Sequence, residues 1–161
     1  MERLYVLRHG IAQPHGAPGV ADDDRELTPK GEDRMRAAAR GLGGLDLKLD
    51  RIVTSPLPRA RRTAEIVAEA LGVVLETADA LRAGNPADAI REWLRGRTEK
   101  RLMIVGHEPS LSDLLGLMLG VNGPSPFELK KGGVVALCRE DVGPYRLQWA
   151  MTPAILRALK G

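Results

Sequence analysis

Two histidines and two arginines are the residues of this sequence best suited to chemistry. Arg8 and His9 lie together after an apolar run, Arg59 follows a Ser-Pro-Leu-Pro turn, and His107 follows a second apolar run. Imidazole has an unperturbed pKa of about 6.5, so its neutral form is available as a nucleophile at pH 7. A guanidinium offers a planar fork of N–H donors that matches phosphate oxygens. These four side chains have the chemistry needed to move a phosphoryl group onto a histidine.

The spacing of apolar residues predicts the elements that position these side chains. Short apolar runs bounded by charged or turn residues are typical of buried strands, and apolar residues at i, i+3, i+4 and i+7 are typical of helices. Thr28 and Pro29 suit a helix N-cap and first position, and Ser110 with Asp113 has the spacing of a capping box. The predicted strands are 4–7, 51–55, 73–75, 102–105, 134–138 and 145–151, and helices are predicted to begin near residues 28, 59, 85, 110 and 152.

Strands that alternate with helices predict an α/β fold, a three-layer α/β/α sandwich formed by a single domain over residues 1–161. The last two strands are predicted to pair as an antiparallel hairpin joined around residues 141–144, so the sheet is mixed but mostly parallel. Ligands of such sheets bind beyond the carboxyl ends of the strands. We therefore expect the two histidines and two arginines to meet at that edge.

Composition argues against several classes of protein. The 161 residues are 43% hydrophobic and 28% charged, an ordinary balance for a soluble globular protein. The single cysteine, Cys138, cannot form an internal disulfide or a cysteine-based zinc site. No signal peptide or membrane-length apolar run is present, so we expect a cytoplasmic protein without a membrane partner. A net charge of +3, with one Phe, two Trp and two Tyr, does not favour nucleic-acid binding.

Four segments, in this order, resemble the motifs of the histidine phosphatase superfamily. Residues 7–10, LRHG, are similar to its RHG motif, and residues 25–31, RELTPKG, to its leucine-threonine-x-x-glycine helix start. Residues 54–64, TSPLPRARRTA, resemble the second motif, in which an Arg follows Ser-Pro and precedes Thr-Ala, and residues 105–109, VGHEP, resemble the third. An RHG tripeptide alone is a weak signal, but four ordered motifs across nearly the whole chain are a strong one.

The resemblance implies a phosphoglycerate mutase-like fold and a phosphatase that needs no metal or other cofactor. It implies that His9 becomes phosphorylated and that Arg8, Arg59 and His107 complete the phosphate pocket. The short chain and the VGHEP form are most similar to SixA-type phosphohistidine phosphatases, which act on phosphohistidine of a signalling protein. Residues 76–100 form a much shorter insertion than the one that caps mutase-like members, which favours an open site.

Two further residues are candidates for roles in the site. Arg25 could bind substrate or hold its own loop. Many relatives carry a general acid in the insertion, and Asp79 is the nearest acidic residue here. The labile P–N bond of phosphohistidine needs a general acid less than an alkyl ester does. The alternative function is a broad-specificity phosphatase, or a mutase-like enzyme, that acts on small phosphate esters.

Other interpretations of these residues have less support. His9 and His107 with an acidic residue could ligate zinc, but no H-x-x-x-H or H-E-x-x-H segment is present and the arginines would repel a cation. A non-catalytic phosphate-binding module would not need all four pocket residues. Arg61 and Arg62 are predicted to form a solvated helix face, because successive helical residues point about 100° apart. The acidic residues 22–24 are predicted to form a solvated loop.

Overall fold

One six-stranded sheet separates two layers of helices. The computed structural model describes residues 1–126, 128–140 and 143–159, so positions 141 and 142 of the predicted hairpin connection lie outside the described residues. The strands are β1 (Arg3–Arg8), β2 (Arg51–Thr54), β3 (Leu75–Thr77), β4 (Arg101–Gly106), β5 (Val134–Cys138) and β6 (Arg146–Met151). The helices are α1 (Pro29–Gly43), α2 (Pro58–Leu71), α3 (Ala87–Arg95), α4 (Ser110–Met118) and α5 (Pro153–Ala158), with short 3-10 helices at Asp22–Asp24 and Asp79–Leu81.

The strand order is β3-β2-β4-β1-β5-β6, and β5 runs antiparallel to both of its neighbours while the other pairs are parallel. Side chains of β1 alternate between two cores, as a strand buried on both faces requires. Tyr5 and Leu7 join the core beneath α1, α2 and α5, whereas Leu4 and Val6 join the core beneath α3 and α4. The predicted three-layer sandwich with a mixed, mostly parallel sheet is confirmed.

The start of α1 is coupled to the loop that follows β1. The Thr28 hydroxyl accepts the Gly31 N–H at 3.0 Å, which caps the helix as predicted. A Cβ at position 31 would lie 2.0 Å from the Ile11 carbonyl oxygen, so only glycine allows this approach. The Thr28 N–H also donates to that carbonyl at 3.0 Å. The leucine-threonine-x-x-glycine segment therefore fixes where the chain runs after His9.

Two local predictions are wrong for identifiable reasons. The Ser110–Asp113 capping box does not form, because Pro109 occupies the N-cap and the Ser110 hydroxyl donates to the Asn85 carbonyl at 2.6 Å. Strand β3 begins two residues later than predicted. Gly72 ends α2 in the left-handed conformation with φ 64°, and the following N–H turns back to the helix carbonyl of Ala68. The residues expected to begin the strand therefore lie in this turn.

Among the described residues, no helix is both long enough and apolar enough to cross a membrane. The longest, α1, has 15 residues and buries only one side of its surface. Its exposed side carries charged residues, as expected of a helix that packs on a sheet.

Candidate active site

The carboxyl ends of three adjacent strands bring the four expected side chains together. His9 follows β1, His107 follows β4, and Arg59 lies in the first turn of α2, which follows β2. The His9 N–H donates to the Gly106 carbonyl at 3.1 Å, which joins the two strand ends. The imidazole centroids of His9 and His107 are 5.2 Å apart. The structure thus places these residues at one edge of the sheet, where the alternation of strands and helices predicts them.

A backbone hydrogen bond fixes the tautomer of His9. Its Nδ1 lies 2.7 Å from the Gly10 carbonyl oxygen, which can only accept, so Nδ1 carries the proton. Burial lowers the pKa of His9 to about 3; the Gly10 carbonyl opposes this shift, and the charges of His107 and Arg59 add to it. The imidazole is therefore neutral at pH 7, and Nε2 holds its lone pair. This is the form that a nitrogen nucleophile requires.

Gly10 and Thr63 lock the end of β1 to α2. The Gly10 N–H donates to the Thr63 hydroxyl at 2.9 Å, and that hydroxyl donates to the Arg59 carbonyl at 2.7 Å. A Cβ at position 10 would lie 2.7 Å from the Met35 side chain, closer than packing allows. The glycine after His9 and the threonine of the 54–64 segment therefore hold His9 and Arg59 in register.

Both arginines are anchored by neutral carbonyl groups. Nη1 of Arg8 donates to the Leu129 carbonyl at 2.6 Å, and Nη1 of Arg59 donates to the Asp22 carbonyl at 2.6 Å. The buried Nε atoms of both arginines have no hydrogen-bond partner within the described part of the chain. Because a buried charge is costly without a counter-charge, two oriented guanidinium groups favour the binding of an anion.

His107 is oriented by a serine. Its Nε2 lies 2.8 Å from the Ser55 hydroxyl, which also accepts the Leu57 N–H at 3.3 Å. When the hydroxyl donates to Nε2, the proton of a neutral ring lies on Nδ1. That nitrogen is buried and has no partner among the described residues. Burial, with Arg59 as the next cause, lowers the pKa of His107 to about 3.

Arg25 lies at the rim of the same cluster. Its Nε donates to the Asp22 carboxylate at 2.8 Å and its Nη1 to the Gln13 carbonyl at 2.8 Å. Its side chain is only 12% exposed. The Arg25 charge, after burial, contributes to the lowered pKa of Arg59 and is also felt by His107. The structure therefore brings this residue to the pocket, and it also has the loop-holding contacts of the other interpretation.

Asp79 is exposed and pairs with Arg82, which is not one of the four expected pocket residues. It sits in the 3-10 helix 79–81, where its side chain is 87% exposed and its carboxylate is 3.7 Å from Nη1 of Arg82. No hydrogen bond of the described residues joins this carboxylate to His9 or His107. Its role as a general acid stays a prediction.

Sequence reasoning missed several residues that shape the pocket. Segment 22–24 is exposed, as predicted, but Asp22 also contacts two arginines, which a run of three aspartates does not reveal. Ser55 lies in the 54–64 segment, of which only Arg59 was given a role in the pocket. Glu108 accepts a hydrogen bond from the Ser112 hydroxyl at 2.9 Å, and burial raises its pKa while the charge of Arg8 opposes the shift. Its place directly after His107 was the available signal.

The assembled charges favour an anionic ligand. Three arginines converge on two neutral histidines, and the positive charges would stabilise a phosphoryl group during transfer. Within residues 1–126, 128–140 and 143–159, no group of three or more His, Cys, Asp or Glu side chains is arranged to hold a metal ion.

Comparison with known proteins agrees with this geometry. The histidine phosphatase superfamily (branch 1) profile matches residues 4–85. An uncharacterized Picosynechococcus protein is 39% identical over 139 residues, 83% of each chain, and phosphohistidine phosphatase SixA of Escherichia coli is 24% identical over 163 residues, 98% of each. A solved structure of the protein histidine phosphatase SixA with tungstate superimposes with a TM-score of 0.81 at 24% identity, covering 96% of this chain and 99% of that one. The chain belongs to the histidine phosphatase superfamily and is a hydrolase of the phosphatase class with the phosphoglycerate mutase-like fold.

Proposed function

We propose that this phosphatase removes the phosphoryl group from phosphohistidine on a cytoplasmic signalling protein, through a phosphohistidine intermediate on His9. The observation that carries the proposal is the neutral His9 ring, whose Nδ1–H is bound to Gly10 and whose Nε2 has no hydrogen-bond partner among the described residues. Similarity to SixA proteins over nearly the full chain supports the same substrate class.

In the first step, the Nε2 lone pair of His9 attacks phosphorus and the P–N bond of the substrate breaks. The electron pair of that bond returns to the substrate imidazole, which takes a proton from water. The Nε groups of Arg8 and Arg59 and the Nδ1–H of His107 are the unpartnered donors that would hold the phosphoryl oxygens. Arg25 would add charge at the rim.

In the second step, water attacks the phosphorus of phosphorylated His9. The Nε2–P bond breaks, Nε2 recovers its lone pair, and inorganic phosphate leaves with the proton of the water redistributed to solvent. The Nδ1–H of His9 stays bonded to Gly10 throughout, so the carbonyl stabilises the positive charge that the ring carries while phosphorylated. The arginines serve both steps.

The placement of Asp79 supports a P–N substrate over an alkyl ester. An alkoxide leaving group requires a proton donor within hydrogen-bond reach, whereas an imidazole is a much better leaving group. A carboxylate on a side chain that is 87% exposed is poorly held for that donation. We therefore propose that phosphohistidine turnover is insensitive to Asp79→Asn, and that Asp79 matters only for ester substrates.

The test compares a histidine-phosphorylated carrier domain with p-nitrophenyl phosphate, both in the presence of a chelator. We expect much faster loss of phosphohistidine, and no turnover of either substrate by His9→Ala. If only the ester is cleaved, the mechanism through His9 stands but the substrate belongs among small phosphate esters. If His9→Ala is fully active on phosphohistidine, the proposal fails.

A further inference from the structure

The carboxylate of Asp22 already contacts two of the arginines that face the site. The Asp22 carboxylate lies 3.5 Å from Nη2 of Arg59 through Oδ2 and 2.8 Å from Nε of Arg25 through Oδ1. It also affects His107, whose pKa it raises against the larger effect of burial. A carboxylate presents two oxygens to guanidinium groups much as a phosphate does. Asp22 therefore sits as an anion at the rim of the phosphate pocket.

The main chain of Asp22, rather than its carboxylate, anchors Arg59. The Asp22 carbonyl accepts from Nη1 of Arg59 at 2.6 Å, a short bond that any residue at this position would retain. The carboxylate contact, at 3.5 Å, is longer and at the limit of a hydrogen bond. Removing the charge of Asp22 therefore leaves Arg59 positioned and frees its remaining donors.

The Asp22 carboxylate can leave the arginines at little cost in buried surface. Its side chain is 42% exposed, and the 3-10 helix Asp22–Asp24 buries none of its residues. The base of the segment is closed by the bridge between Ala12 and Leu27 and by the Gln13 N–H, which donates to the Glu26 carbonyl at 2.9 Å. A rotation of the side chain therefore releases Arg59 and Arg25 from the carboxylate while the Asp22 main chain stays in place.

His15 gives the displaced carboxylate a partner outside the pocket. Its Nδ1 lies 2.6 Å from Oδ1 of Asp22, and its side chain is 83% exposed. A phosphoryl group that takes Arg59 from Asp22 therefore leaves the carboxylate with solvent and His15. The exchange replaces the 3.5 Å contact of Arg59 with the Asp22 carboxylate by a contact with the phosphoryl group.

We propose that Asp22 is a built-in competitor of phosphate at Arg59 and Arg25, which the substrate phosphoryl group displaces and which returns as the product leaves. This inference rests on the proposed phosphate pocket. It gives Asp22 a role in binding and release but none in the bond-making steps. The competing carboxylate weakens the grip on inorganic phosphate, so product does not block the site.

Asp23 provides a matched control. It lies next to Asp22 on the same exposed helix, and its carboxylate pairs with Nη2 of Arg82 at 3.0 Å. Asp22→Asn and Asp23→Asn remove the same charge from the same turn, but only the first removes a contact with Arg59 and Arg25. A general change of the electrostatic field would affect both variants alike.

The experiment is calorimetric titration of inorganic phosphate into the wild type, Asp22→Asn, Asp23→Asn and Arg59→Ala, with phosphate inhibition of p-nitrophenyl phosphate turnover as a second readout. We expect Asp22→Asn to bind phosphate about tenfold more tightly than Asp23→Asn and to be inhibited at correspondingly lower phosphate concentrations. Equal affinities of the two variants, or weaker binding by Asp22→Asn, would overturn the inference. Unchanged binding by Arg59→Ala would instead show that phosphate binds elsewhere, and the proposed pocket itself would be wrong.

Discussion

Two arginines of this molecule, Arg97 partly buried and Arg59 buried, have opposite kinds of partner. Arg97 donates to both Glu76 oxygens at 2.8 and 3.0 Å and to Glu99 at 3.1 Å, and it packs over the Trp93 ring. Arg59 is 2% exposed, yet its shortest hydrogen bond is to a backbone carbonyl and its Nε has no partner among the described residues. The carboxylates raise the pKa of Arg97, whereas burial lowers the pKa of Arg59. The guanidinium of Arg97 is paired with carboxylates, whereas that of Arg59 keeps a donor that has no partner among the described residues.

The same contrast occurs within one helix. Arg62 lies three residues after Arg59 in α2 and donates to the two Glu32 oxygens at 2.8 and 3.0 Å, which ties α2 to α1. Residues three apart lie only about 60° apart around a helix, yet Arg62 pairs with Glu32 of α1 while Arg59 is bound by the Asp22 carbonyl. The prediction of a merely solvated side chain is wrong, since this ion pair joins two helices. The acidic neighbour on α1 pairs with Arg62, whereas Arg59 is left facing the pocket.

The largest effect should come from His9→Ala, which removes the nucleophile. We expect kcat on phosphohistidine to fall by at least about 10⁴-fold, because the arginines alone cannot form the covalent intermediate. Rapid-quench mass spectrometry of the wild type should find acid-labile phosphate on His9. Phosphate trapped on His107 instead would reverse the roles of the two rings.

The second effect concerns the two arginines of α2. Arg59→Ala should lower kcat/KM by about 10²–10³-fold, as expected for loss of one charged contact to a phosphoryl group. Arg62→Ala should change kcat/KM by less than about threefold and cost about 1 kcal/mol of stability, because its pair is partly exposed. Steady-state kinetics and urea unfolding of both variants measure this. Similar activity losses in the two variants would abolish the contrast.

Sequence patterns could predict whatever depends on neighbours along the chain. Strand ends, helix starts and the joint position of His9, Arg59 and His107 follow from short-range rules and from the connection of parallel strands. The hydrogen bonds that orient those side chains depend instead on the positions of loops that are distant in the sequence. Arg8 is anchored by Leu129, 121 positions away, and Arg59 by Asp22, 37 positions away. Carbonyl acceptors are present in every residue, so no residue type marks them in the sequence.

The depressed pKa values of His9 and His107, both about 3 in the folded protein, predict that stability depends on pH. Between that pH and about 6.5, the two imidazoles are protonated in the unfolded chain but stay neutral in the folded protein. The free energy of unfolding therefore falls as the pH is lowered. From pH 6 to 5 the pair should cost about 2 kcal/mol. The raised pKa of Glu108 has the opposite effect, since it increases the free energy of unfolding as the pH is lowered.

His9→Asn isolates the histidine contribution to this pH dependence. Removing one of the two titrating rings should reduce the loss of stability between pH 6 and 5 by about 1 kcal/mol in urea unfolding at each pH. Glu108 is present in both proteins, so its opposing effect cancels in the difference. Saturating phosphate should also flatten the wild-type dependence, since a bound anion favours protonated imidazole. An identical pH dependence in the variant would show that His9 is not held neutral by the fold.

The smallest effect is expected when Arg59 and Arg97 are each replaced by methionine, which keeps an unbranched stem of similar volume and removes the charge. Arg97→Met should lower the free energy of unfolding by about 1–2 kcal/mol with turnover unchanged, because it strands two carboxylates that are only partly solvated. Arg59→Met should lower it by less than about 0.5 kcal/mol, because an apolar group of similar volume removes the cost of a buried, poorly paired charge. Urea unfolding without phosphate measures both. A larger decrease in the free energy of unfolding for Arg59→Met would mean that Arg59 stabilises the fold as Arg97 does. Its unpartnered Nε would then not destabilise the protein.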